Sequence, residues 1–376
     1  MDIVPFPLIE IAGPPRERGR AYGEQARERV HRSAALYRER LGQMALGPAQ
    51  VEALVDSLLP RMQAFDGDYI EEMRGIAEGA AIDFPSIALI NARTEVLELA
   101  KRAVEARGEP DGCTGAVILP ARCAAGRLIH VQNWDWRAEC VETSVVLRAD
   151  YGDGTPAFLT FTEAGGLARH GFNAVGVSIT ANYLECERDY RQPGVPLALI
   201  RRKVLEQRHF ALAVRIVATT PKAASNNMVL AWHEGFAVSC ECAPDETFMV
   251  YPQDDLLVHA NHWISPAALA KLKDTGLDDT PDSVYRDWRV RRLLEAHGRI
   301  LDREAAKAAL FDDFATPYSV CRPPRPSQSG NLVATVAMIA MEPAAGLMEV
   351  APLPAVSKTF TTYRLPPSTE FREAAQ

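Results

Sequence analysis

The sequence predicts an α+β fold in which outer helices cover antiparallel sheets. Three observations carry this. Apolar residues follow a helical period from residue 16 to about 104, short β-branched runs punctuated by turns follow residue 112, and no repeat, low-complexity tract or long linker separates the two textures. The 376 residues are therefore read as one domain, 1–376.

Within the helical part, residues 20–44 place Tyr22, Ala26, Val30, Ala34, Tyr37 and Leu41 three or four apart, with charges between them. A second helix is expected over 50–65, with Pro60 expected to kink or end it. A third covers 69–81, and a fourth runs from Pro85, a favourable first helical position, to about 104. The stretch 107–112 has turn residues and no apolar face. Strands are expected after it at 114–119, 127–133, 143–148, 157–162 and 175–180. Helices return at 196–207 and 210–218. Further strands are expected at 227–232, 236–240, 247–251, 333–340, 348–350 and 359–363, and a helix at 283–298.

Composition narrows the function classes. A net charge of -8, with 49 acidic against 41 basic residues, gives no concentrated basic face for a nucleic acid. One local basic pocket for a small anion remains compatible with it. The longest apolar runs, 114–120 and 332–341, are strand-length and do not span a membrane. Seven scattered cysteines, at 113, 123, 140, 186, 240, 242 and 321, do not form a disulfide framework. With no secretory pattern at the start and no targeting motif in Glu373-Ala374-Ala375-Gln376, the expectation is a soluble, reduced, cytoplasmic protein.

Candidate chemistry concentrates where the helical texture gives way to sheet, at Asp111-Gly112-Cys113-Thr114-Gly115. Glycine before the cysteine permits backbone geometry that other residues resist, and the thiol then opens a strand. The following strand ends Gln132-Asn133-Trp134-Asp135-Trp136. Its amides and carboxylate can orient a nucleophile or receive an oxyanion, and its two tryptophans can exclude water.

These segments resemble the acyl-coenzyme A:6-aminopenicillanic acid acyltransferase family, the autoproteolytic cysteine hydrolases also classed as peptidase family C45. The resemblance runs in order through Glu17-Arg18-Gly19-Arg20-Ala21-Tyr22-Gly23, Glu72-Met73-Arg74-Gly75-Ile76-Ala77-Glu78-Gly79-Ala80 and Leu89-Ile90-Asn91-Ala92-Arg93-Thr94-Glu95. It continues through Asp111 to Thr114, Gln132 to Asp135, Thr162-Glu163-Ala164-Gly165-Gly166, Gly171 to Gly176, His259-Ala260-Asn261-His262, and Ser319 to Arg322 with Thr335-Val336-Ala337. It implies a four-layer αββα N-terminal-nucleophile hydrolase sandwich whose precursor cuts itself before the cysteine. Carried onto this chain, cleavage of Gly112–Cys113 leaves an internal α/β heterodimer, a mostly helical 1–112 and a chain 113–376. The resemblance further implies that Asn261 donates to the tetrahedral oxyanion, Asp135 holds the α-amine or the cysteine backbone, Glu163 supports the site, and Arg322 meets a substrate carboxylate. Trp134 and Trp136 are the candidate substrate-binding aromatics.

The implied chemistry is self-consistent. A free α-amine titrates at about 7.7–8.0 and a thiol at about 8.5, so the amine can serve as base to its own thiol. No metal or organic cofactor is needed, and the expected substrate is a small amide or an acyl-CoA-type thioester. Two departures are visible. Arg122-Cys123-Ala124-Ala125-Gly126 is a long insertion, expected at a hairpin tip. Arg137-Ala138-Glu139-Cys140 replaces the aromatic continuation of the penicillin enzyme, so penicillin specificity is not carried over. The rival readings are a single-chain Cys–His hydrolase using His259 or His262, a non-catalytic binding protein of the same fold, and a zinc site at Cys240 and Cys242 with His233, His259 and His262. The arginines at 286, 289, 291 and 292 read as a solvated helix face.

Overall fold

Two sheets lie face to face in the computed structural model, which describes residues 3–103, 112–326 and 331–367. The chain begins with β1 (Leu8–Ala12) and six helices: α1 (Pro15–Gln25), α2 (Arg27–Gln43), α3 (Pro48–Phe65), α4 (Gly67–Ala80), α5 (Phe84–Asn91) and α6 (Arg93–Ala103). Strands β2 (Gly112–Ile118), β3 (Ile129–Arg137), β4 (Ser144–Asp150), β5 (Phe158–Glu163), β6 (His170–Asn173) and β7 (Val177–Tyr183) follow. Helices α7 (Leu197–Leu205) and α8 (Phe210–Thr219) precede β8 (Asn226–Trp232), β9 (Phe236–Cys242), β10 (Thr247–Val250) and β11 (Leu256–His259). After α9 (Pro266–Leu269), α10 (Ser283–Ala296) and α11 (Arg303–Leu310), the chain ends in β12 (Arg325–Pro326), β13 (Leu332–Glu342), β14 (Leu347–Pro352) and β15 (Thr361–Arg364).

One sheet has the order β1-β4-β5-β6-β7-β8-β9-β10, antiparallel except for the parallel β1–β4 pair. The other runs β11-β2-β3-β13-β14-β15, with β12 on β13. Strand β3 shows how the layers are built. Its inward residues meet the first sheet: His130 shares hydrogen bonds with Ser178 (2.9 Å) and Thr180 (2.8 Å), and Gln132 Nε2 donates to the Ala181 carbonyl (2.7 Å). Its outward residues Ile129 and Val131 pack with Val290, Leu294 and Leu310 of α10 and α11. Period-two alternation between two buried faces explains why the whole strand is buried. Helices α7 and α8 back the first sheet, which completes the αββα order. Among the described residues no helix is long and apolar enough to cross a membrane.

The long helical predictions hold, with two breaks. The expected helix 20–44 divides at Ala26, and the expected 85–104 divides at Ala92. The second break lies between side chains that reach into the sheet, since Asn91 bonds Gly165 and Leu167 while Arg93 pairs with Glu163. Pro60 does not end α3. It sits on the exposed side, whereas Val51, Val55, Leu58 and Met62 bury one continuous stripe. The lost N–H therefore frees a carbonyl on the side that water can reach. The insertion around Cys123 forms the turn between β2 and β3, as expected. Elements β1, β6, β11, β12, α9 and α11 had no sequence counterpart, being too short to show a period. Most of the turn-rich stretch, 107–111, lies outside the described residues.

Packing explains the glycines of the first two resemblance segments. Helices α1 and α4 meet through Gly19, Gly23, Gly75 and Gly79. A Cβ at any of them would collide with the backbone of the facing helix, at the carbonyls of Glu72, Ile76, Arg16 and Arg20 respectively. Buried ions brace the same crossing: Glu72 receives Arg18 Nε at 2.6 Å and Arg202 Nη2 at 2.8 Å. Gly79→Ala should therefore force the helices apart and destabilise the fold by about 1–3 kcal/mol, read from the urea midpoint against wild type.

Candidate active site

Strand pairing sets the geometry around Cys113. The β11–β2 ladder ends at His259↔Gly115, two residues short of Cys113. Continued by two residues, the same register would bring Asn261 opposite Cys113, and its side chain takes the place of the missing rung. The Cys113 N–H donates to Asn261 Oδ1 at 2.7 Å. Arg286 Nη2 donates to the same oxygen at 3.0 Å, so two donors fix which way the amide points. Asn261 Nδ2 donates to the Tyr183 carbonyl at 3.0 Å. The Cys113 carbonyl accepts from Asn182 Nδ2 (3.1 Å) and Arg286 Nη1 (3.0 Å).

Cys113 is buried and stands opposite Trp134 in the β2–β3 register, so both side chains share the inner face. Trp134 packs edge-on against Phe161 of the first sheet at 5.6 Å, and Arg169 lies 4.1 Å over its ring. Trp136, also inward, donates from Nε1 to the Tyr37 hydroxyl at 3.3 Å and lines a cleft with Arg93, Leu97 and Tyr183.

Asp135 points to the other face, next to Gly112. Its Oδ1 accepts from Thr335 Oγ1 at 2.6 Å. Its Oδ2 makes no hydrogen bond and lies 3.2 Å from Arg322 Nε. Gly112 is paired with Asp135 as the first residue of β2. The glycine is required by space: a Cβ would come within 2.7 Å of Asp135 Oδ2 and 3.1 Å of Arg322 Nη1.

Arg322 spends its guanidinium on Asp135 and Asp282, carboxylates of its own chain, on the face opposite the thiol. Glu163 lies in the first sheet, held by Tyr37 and by Arg93 Nε at 2.6 Å. The structure thus brings Cys113, Asn261, Asp135, Arg322 and Gly112 together around one backbone segment. Trp134 and Trp136 lie on the inner wall, and Glu163 lies beyond them.

Arg286 corrects the reading of residues 286–292 as a solvated face. It is fully buried and binds Cys113, Thr114, Asn261 and Asp282. Helical spacing could have singled it out, because Arg286, Val290 and Leu294 fall on one stripe. Asn182 and Thr335 also went unassigned. Thr335 was visible in a resemblance segment, but nothing local marks Asn182.

The histidine and zinc rivals can be set against the same geometry. The ring nitrogens of His259 are engaged by Glu241 Oε1 (2.8 Å) and the Ala260 carbonyl (2.9 Å). His262 Nδ1 meets Ser283 Oγ at 2.8 Å, and burial lowers its pKa to about 4. Among the described residues no group of three or more His, Cys, Asp or Glu side chains converges on a metal position.

Paired layers of sheet and helix, with acyl-transfer relatives, define an αββα enzyme acting on amides or acyl groups. The chain belongs to the acyl-coenzyme A:6-aminopenicillanic acid acyl-transferase family, whose profile matches residues 123–351. That span includes Asp135, Glu163, Asn261 and Arg322 and begins after Cys113. The 40 kDa form of acyl-coenzyme A:6-aminopenicillanic-acid-acyltransferase from Emericella nidulans is 28% identical over 319 residues, covering 84% of each chain. Similar solved structures include a Caenorhabditis elegans N-acylethanolamine-hydrolyzing acid amidase ortholog, with 18% identity and a TM-score of 0.44 over 68% of this chain and all of that one. The penicillin V acylase of Agrobacterium tumefaciens has 16% identity and a TM-score of 0.45 over 69% of this chain and 89% of that one.

Two tests probe the ion network. Arg322→Ala leaves Asp135 and Asp282 short of a buried partner and should cost about 3–5 kcal/mol in chemical denaturation. For Asp282, burial acts to raise the pKa, but Arg286 and Arg322 hold it below the ordinary carboxylate value. Its stabilisation is therefore present above a pH of about 3.9 and lost as pH falls through the lower folded value. Melting temperatures recorded down the acid limb should flatten in Asp282→Asn.

Proposed function

We propose that the chain is an autoprocessing cysteine N-terminal-nucleophile enzyme, an amidohydrolase or acyltransferase working through an acyl-enzyme on Cys113. One observation carries the reading: the side-chain amide oxygen of Asn261, not a strand carbonyl, accepts at the Cys113 nitrogen, and an Asp135 carboxylate oxygen without a hydrogen bond lies beside the preceding residue, Gly112. A strand needs neither feature, whereas a terminal ammonium needs several acceptors.

In the precursor the Cys113 thiol adds to the Gly112 carbonyl carbon. The C–N bond breaks as the C–S bond forms, which frees the Cys113 amine, and water then hydrolyses the thioester to a Gly112 carboxylate and the Cys113 thiol. The mature protein would then be a heterodimer of 1–112 and 113–376. The amine takes the thiol proton, and the sulfur attacks the carbonyl of a small N-acyl amide or acyl thioester. The proton passes to the departing amine or thiol, and water or a second amine releases the acyl group.

Asn261 supports both stages. Its Oδ1 orients the nitrogen, and its Nδ2 is the oxyanion donor that the resemblance assigns, exchanging the Tyr183 carbonyl for substrate oxygen. Loss of such a donor costs roughly 10²–10³ in rate. Thr335 and Arg322 position Asp135, and Trp134 walls the thiol from water. Burial of this kind strengthens each hydrogen bond in the site. The amine in place of a histidine base agrees with the engagement of His259 by Glu241 and Ala260.

Intact mass spectrometry of the denatured protein tests the reading. The 41.3 kDa chain should appear as pieces of about 12 and about 29 kDa, apportioned over 112 and 264 residues. Cys113→Ala should give one chain and no turnover of an N-acyl amide panel. A fully active single chain, or an alanine variant still cut at the same bond, would refute it.

A further inference from the structure

A second arginine cluster lies on the inner side of the molecule. Arg93 of α6, Arg169 before β6 and Arg201 of α7 line one cleft, together with Glu95, Thr162 and Glu163. Arg93 pairs with Glu163 at 2.6 Å. Arg169 lies 4.0 Å from the same carboxylate, bonds His170 through Nε at 3.2 Å and stacks on Trp134. Arg201 is different. It is only 9% exposed, its Nε has no hydrogen-bond partner, and no ion pair within 4 Å reaches it from the described residues.

The next residue shows what the chain can do when an arginine is structural. Arg202 is bound by Glu72, Glu206, the Tyr151 hydroxyl and the Leu167 carbonyl. Arg201 sits one residue away with none of this. A buried charge left unpaired is costly, and a structural position would take Met or Leu more cheaply.

The charges in the cleft do not cancel. Glu163 is engaged by Arg93, and Glu95 Oε1 accepts the Leu197 N–H at 3.0 Å at the start of α7. Burial raises the pKa of Glu95. Among the described residues three guanidiniums thus face two carboxylates, a surplus suited to a single negative charge rather than a doubly charged phosphate. Burial, with Arg169 and Arg93 nearby, brings Arg201 down to about 9, so it remains cationic at neutral pH. Glu95 is the nearby carboxylate that opposes this. Arg169 ties the cleft to the nucleophile through Trp134, the cross-strand neighbour of Cys113.

We infer that Arg201, with Arg169, binds a carboxylate carried by the substrate, so that the preferred substrate is an N-acyl compound or acyl thioester with one free carboxyl group. The inference rests on Cys113 being the nucleophile. The carboxylate belongs to the acyl chain or to the leaving amine, and matched substrates separate the two. Glutaryl p-nitroanilide against pentanoyl p-nitroanilide tests the acyl side, and pentanoylglycine against pentanoylglycinamide the amine side.

In one pair the carboxylate member should have a kcat/KM about 10-fold or more higher, the worth of a charge-assisted bond. That ratio should collapse toward one in Arg201→Met. The same variant, measured without substrate, should melt about 2 °C or more higher because a buried unpaired charge is gone. Ratios near one in both pairs, a ratio that survives Arg201→Met, or a lower melting temperature for the variant would overturn the inference.

A binding arm is independent of turnover. Glutarate should raise the melting temperature of wild type but not of Arg201→Met, and glutaramide should raise neither. Absence of a glutarate shift in wild type overturns the carboxylate site. Turnover that persists in Cys113→Ala while the glutarate shift remains overturns the nucleophile alone.

Discussion

Everything at the site depends on a rung missing from a ladder. Strand β11 stops pairing at His259, and the Cys113 N–H that a longer strand would have bonded goes to a side chain instead. A backbone carbonyl in that place would have paired Cys113 on both sides, with β11 as well as β3. An amide oxygen holds the nitrogen just as firmly while leaving it outside the ladder. Arg286 completes the arrangement by binding the Asn261 oxygen, the Cys113 carbonyl and the Thr114 hydroxyl with one rigid fork.

The alternation of β3 divides the labour around the cysteine. Trp134 faces inward with the thiol, and Asp135 faces outward with Thr335, Arg322 and Asp282. Charge that positions the backbone is therefore kept on one side of the sheet and the thiol on the other. A break in β13 pairing between Thr335 and Ala337 helps to aim Thr335 at Asp135, since a bulge redirects the side chain beside it.

Much of this was legible in the sequence, for identifiable reasons. Long periodic helices such as α2 and α3, and β-branched runs such as β3 and β13, announce themselves because many residues repeat one pattern. The four-residue strands β6 and β11 contain too few residues to repeat anything. Cys113 and Asp135 stood out through local motifs, and Asn261 through the family resemblance. Arg286 and Arg201 were hidden because an arginine on a helix reads as surface until tertiary packing buries it. Gly112 was noticed for its backbone freedom, and the close approach of Asp135 and Arg322 adds a need for its smallness.

The ties between the first 103 residues and the rest run through buried polar groups. Glu72 meets Arg202, Asn91 meets Gly165 and Leu167, Glu95 meets the start of α7, and Tyr37 and Arg93 meet Glu163. Each half, on its own, would bury ions and amides with nobody to answer them. Under the proposed processing, the uncut polypeptide would therefore reach its finished shape first, and cleavage near residue 112 would come later, in a molecule whose parts no longer need the covalent link to stay together.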